Sequence, residues 1–144
     1  MTYAFTPHKT GKEDVTPGAV TVMVADPDVA TAEAAPMLAA VEGVFMTRDL
    51  VSEPANHLTT TEFASRIKEM DGLGLKIRVL EEAELEKLGM GCLLSVGQGS
   101  VSPSKVVVME WMGGRKGTAP LALVGKGVVF DTGGISLKPA AGME

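Results

Sequence analysis

The chain has 144 residues, of which 45% are hydrophobic and 22% charged, and its formal net charge is -5. This is the composition of an ordinary globular protein of about one domain. The acidic balance argues against nucleic acid as a partner, since phosphate binding wants a basic face. The one cysteine, Cys92, excludes a disulfide framework within the chain and fits a reducing compartment. It lies in the apolar run Cys92-Leu93-Leu94 and reads as a buried hydrophobe. No segment approaches the roughly 18 apolar residues that a membrane span needs. The first residues lack the basic and apolar regions of a signal peptide. The expectation is a cytoplasmic protein with no membrane partner.

Residues 6 to 18 hold two prolines and two glycines and read as an exposed loop. Ala19 to Val24 alternates and is rich in valine, which predicts a strand. From about Ala30 to Val51 the apolar spacing predicts a helix, with Thr31 or Asp28 as its cap and Glu53-Pro54 as its stop. Thr59 followed by Glu62 fits a capping box for a second helix that reaches about Met70 and buries Phe63 and Ile67. Leu75 to Leu80 predicts a strand, Glu81 to Leu88 a short helix ended by Gly89, and Lys105 to Met112 another strand. Gly91 to Val96 fits either a helix turn or a buried strand. Leu121 to Val124 and Val128 to Phe130 read as two short strands around Gly125-Lys126-Gly127. Strands and helices alternating over residues 55 to 130 predict an α/β domain with a mostly parallel or mixed sheet.

The chemistry concentrates in the last twenty residues. Lys126 lies between two glycines after an apolar run, and Asp131 ends the next such run before Gly133-Gly134. Charged residues at strand ends beside glycine-rich turns are where open α/β sheets place their sites. Each also has a plain reading: Lys126 as a solvated turn lysine, Asp131 as a turn-forming aspartate, Lys138 as a surface lysine before proline. Taken together they are harder to dismiss, because buried charge needs a partner or a metal. A P-loop is excluded by Pro120 and Gly127. Gly97-Gln98-Gly99 opens like a dinucleotide loop, but Ser102 stands where a third glycine belongs. His8 and His57 lie in polar contexts, and no His-Glu-x-x-His occurs.

The stretch Val124 to Gly142, VGKGVVFDTGGISLKPAAG, closely resembles the active-site segment of the leucyl (cytosol) aminopeptidase family. Arg48 to Thr59, RDLVSEPANHLT, resembles the family's passage from helix to catalytic domain, with Ser52 where asparagine is usual. Weaker similarity runs between these blocks, and Tyr3 to Thr10 resembles the end of the family's first domain. The resemblance implies that residues 1–29 are the tail of a small N-terminal α/β domain. Residues 30–52 would be a connecting helix, and residues 53–144 the first part of the catalytic α/β domain.

It further implies an aminopeptidase that releases N-terminal residues, often leucine, from peptides with a free N-terminus. The reaction would use water activated by two divalent metal ions, Mn2+ or Zn2+, and the protein would assemble as a homo-hexamer. On that resemblance Lys126 and Asp131 are metal ligands and Lys138 is the catalytic lysine that polarises the scissile carbonyl. A lysine ligates a metal only as the neutral amine, which a neighbouring dication favours by repelling the ammonium. Aspartate supplies hard anionic oxygen, and a charged lysine supplies a donor where negative charge develops. The family's other ligands lie in Asp-Met-Gly-Gly and Asp-Ala-Glu-Gly-Arg motifs, neither of which occurs in these 144 residues. The expectation is an incomplete piece, inactive alone, of an active parent. The alternative is a non-catalytic remnant or assembly module.

Overall fold

Asp26 starts the longest element of the chain. Its carboxylate accepts a hydrogen bond from the Val29 amide at 3.1 Å. Pro27 takes the first helical position, where a missing N–H costs nothing, and helix α1 runs over Pro27–Ser52. The start lies a turn earlier than the spacing predicts. Thr31, one expected cap, is already inside the helix, its hydroxyl donating to the Pro27 carbonyl at 2.7 Å. Glu53 ends the helix in an extended conformation, as the proline after it requires. The computed structural model describes residues 3–8, 10–11, 18–131 and 141. It divides the chain into two compact units, Met1–Glu53 and Pro54–Glu144.

In the first unit no residue of α1 is fully buried. Ala34, Val41 and Phe45 are half-buried on one face. Tyr3 packs there, with its ring centroid 5.3 Å from that of Phe45, and the Arg48 guanidinium lies 3.9 Å from its ring centre. The Tyr3 hydroxyl donates to Asp49 Oδ1 at 2.7 Å, and His8 Nε2 meets Glu53 Oε1 at 2.6 Å. Desolvation against the helix, then the hydrogen bond to Asp49, raises the Tyr3 phenol above its ordinary value of 10.0. Its protonated form is therefore the one the folded state favours. The stabilisation is present below the free-tyrosine value and is lost as pH climbs through the folded one. Tyr3 is the sole tyrosine, so absorbance titration reads it directly. The expected midpoint lies above that of the urea-unfolded chain, and coincident midpoints would show that Tyr3 is not docked.

Pro36 lies inside α1. It removes the bond that residue 36 would donate to the Ala32 carbonyl, at a cost of about 3 kcal/mol in a helix interior. Pro36→Ala is expected to raise helical ellipticity at 222 nm and the melting temperature of α1. An unchanged or lower value would mean that the proline sits at a break rather than within a continuous helix.

Two sequence expectations for this unit are corrected. Ala19 to Val24 forms no strand. Val20 and Met23 are largely exposed, and the sheet among the described residues contains no partner for this segment, without which a strand's backbone groups stay unpaired. The expectation that no segment is long and apolar enough for a membrane also fails. By length and composition alone α1 qualifies, with a mean hydropathy of 1.3 and none of that window buried. Its apolarity is spread through alanines between polar residues, so a count of uninterrupted apolar runs misses it.

The second unit is built on Leu58, Ala64, Leu80 and Leu85, the buried apolar residues among those described. Thr59 caps the next helix as its spacing predicts, its hydroxyl accepting from the Glu62 amide at 3.2 Å. Helix α2 spans Thr60–Lys68 and tightens into a 3₁₀ turn, Glu69–Leu73. Gly74 ends that turn at φ 85°, a left-handed conformation that glycine adopts without strain. Phe63 and Ile67 are half-buried, and Ala64 is the buried residue of this helix. Strand β1 is Lys76–Leu80, helix α3 Glu82–Lys87, helix α4 Gly91–Gly97 and strand β2 Val106–Glu110.

The ambiguous stretch after Gly89 is thus a helix. In it Leu93 and Leu94 are half-buried while Cys92 is exposed. The reading of Cys92 as a buried hydrophobe is corrected, because successive helical residues turn by about 100° and three in a row cannot all face one core. The sheet is antiparallel, with Lys76 opposite Glu110, Arg78 opposite Val108 and Leu80 opposite Val106. Mixed helix and strand agree with the α/β class. The described sheet, however, is a two-stranded antiparallel pair rather than a parallel array. Glu82 Oε1 accepts from the Ser104 amide at 2.8 Å and Lys105 pairs with Glu81, which fastens the start of α3 to the start of β2. A Cβ on Gly97 would come within 2.1 Å of Ser104 Oγ, so a larger residue at this approach of α4 to the loop before β2 would have to displace that hydroxyl.

Candidate functional site

The segment that follows β2 carries the candidate residues. It begins with Trp111, whose ring lies so close to Gly113 that an added Cβ would meet Cζ2 at 2.2 Å. A turn follows, in which the Thr118 amide donates to the Arg115 carbonyl at 3.3 Å and Gly117 adopts φ 84°. From residue 119 to 128 the backbone is irregular. The strands expected at Leu121 to Val124 and Val128 to Phe130 are not formed, and Leu121, Leu123, Val124 and Phe130 are largely exposed. Both runs are apolar throughout. An apolar run becomes a strand only where a neighbouring strand supplies hydrogen-bond partners, and among the described residues β1 and β2 pair with each other alone.

Lys126 stands in this segment and is exposed. Its carbonyl accepts from the Val128 amide at 3.2 Å, closing a three-residue turn centred on Gly127. Gly127 lies against α2, where a Cβ on it would sit 3.0 Å from Phe63 Cε1. The position of Lys126 is therefore set by a tight turn resting on a ring from the first turn of α2. Helix α2 is in turn begun by the Thr59 cap. Val129 is half-buried, and Asp131, two residues on, is exposed. Lys138 lies outside the described residues.

The structure thus places Lys126 and Asp131 on one exposed segment. Among the described residues nothing covers this stretch closely enough to bury either side chain. An open cleft of 530 Å³ occurs elsewhere in the same unit, lined by Glu82, Glu86, Leu94, Ser95, Gln98 and Val101 among others. Neither Lys126 nor Asp131 lines it. Phe63 is the positional residue that the sequence reading missed. Its helical spacing marked it as core, and only the close approach of Gly127 shows that it supports the lysine turn. The donors suit a divalent ion in kind, a carboxylate oxygen and an amine nitrogen. By themselves they are too few to complete a four-coordinate site.

Residues 45–144 match the catalytic domain of the cytosol aminopeptidase family. The chain belongs to that family, whose matched region begins within the last two turns of α1 and contains all of the second unit. It is similar to the probable cytosol aminopeptidase of Cereibacter sphaeroides, 65% identical over 142 residues, covering 99% of this chain and 29% of that relative. The probable cytosol aminopeptidase of Dinoroseobacter shibae is 64% identical over 142 residues with the same coverage. That of Rhizobium meliloti is 52% identical over 148 residues, 99% of this chain and 30% of the relative. The chain spans less than a third of the length of these relatives. No solved structure matches it.

Proposed function

We propose that these residues serve a metal-dependent aminopeptidase that releases N-terminal residues, leucine among them, from peptides with a free N-terminus. The observation that carries the reading is the segment of Lys126 and Asp131, within a region matching the catalytic domain of the cytosol aminopeptidase family. The names of the relatives support it.

In this reading residues 1–29 end an N-terminal domain, residues 30–52 connect, and residues 53–144 begin the catalytic domain. Lys126 and Asp131 would hold divalent metal, Mn2+ or Zn2+, at a site for two ions. The bound ions would supply an activated water and Lewis acidity. Asp131 contributes anionic oxygen, and Lys126 contributes its amine from the turn over Phe63. Lys138 keeps its proton and donates to the peptide carbonyl that is being attacked. A homo-hexamer in the cytoplasm is part of the same proposal, with peptides as substrates and nucleic acid as no partner.

The test is hydrolysis of leucine p-nitroanilide by the protein purified at the length its gene encodes, with and without chelator. Activity lost on chelation and regained with Mn2+ or Zn2+ is the expected result. No hydrolysis, or hydrolysis indifferent to chelator, overturns the reading. The 144-residue chain by itself is expected to show negligible turnover, because its two described donors stand exposed on an irregular segment. Turnover by that chain would refute this last point.

A further inference from the structure

We draw no further inference here: the strongest candidate, the exposed apolar stripe of Met37, Val44 and Val51 along α1, carries none, because nothing in the structure shows what covers it.

Discussion

Asp131→Asn is expected to lower metal-dependent leucine anilide hydrolysis by at least about 100-fold in the protein at its encoded length, with a parallel loss of bound metal. The change keeps the size of the side chain and removes the anionic oxygen that suits a dication. Losing only an outer-shell partner of a metal costs about 10–100-fold, so loss of a ligand sets a higher floor. Lys126→Met should act in the same direction, since it retains the apolar stem and deletes the amine. Lys138→Ala should separate from both. It is expected to cut kcat by about 10²–10³-fold, the size of effect seen when one oxyanion donor is removed, while metal content stays unchanged. Asp131 and Lys126 are exposed, so none of this is expected to come from unfolding, and ellipticity at 222 nm should be the same in all variants. Lys116→Met, on the same segment but outside the resembling block, is the control and should leave both activity and metal content alone. Full activity in Asp131→Asn and Lys126→Met would remove these residues from the site.

Leu85→Ala is expected to destabilise the second unit by about 2–5 kcal/mol, the usual cost of a buried leucine truncated to alanine. Leu85 has no exposed surface and is the largest fully buried side chain described. Few others share the burden among the described residues, where Leu58, Ala64 and Leu80 complete the buried apolar set. Small domains have about 5–15 kcal/mol in total, so this single change should remove much of the cooperativity of the urea transition followed by circular dichroism. Leu88→Ala, three residues on and mostly exposed, should stay within about 0.5 kcal/mol. Equal effects at the two positions would mean that the cluster around Leu85 is not the core.

What the sequence could state by itself is whatever depends on neighbours a few residues away. The Thr59 cap and the helix it begins are legible because the hydroxyl reaches an amide only three residues on. The stop at Glu53 is legible because proline restricts the residue before it. Lys76–Leu80 is legible because its alternation sets half-buried Ile77 and Val79 between exposed Lys76 and Arg78, although buried Leu80 breaks that alternation at the end. The family, too, was legible in the short string around Lys126 and Asp131, and the match over residues 45–144 agrees.

Tertiary structure decided the features that need a distant partner. Residues 19–24 alternate as a strand does, and residues 121–124 and 128–130 are apolar runs of strand length, yet they remain irregular, because no strand among the described residues lies alongside to complete their hydrogen bonds. The apolar triplet at Cys92 looked uniformly buried, but the helix turns the cysteine outward. The pairing of β1 with β2 in antiparallel register, and the support of the Lys126 turn by Phe63, join residues tens of positions apart. No local propensity encodes those contacts. They exist because burying Leu80 and Leu85 in one core brings the surrounding segments together, and burial is a property of the folded chain as a whole.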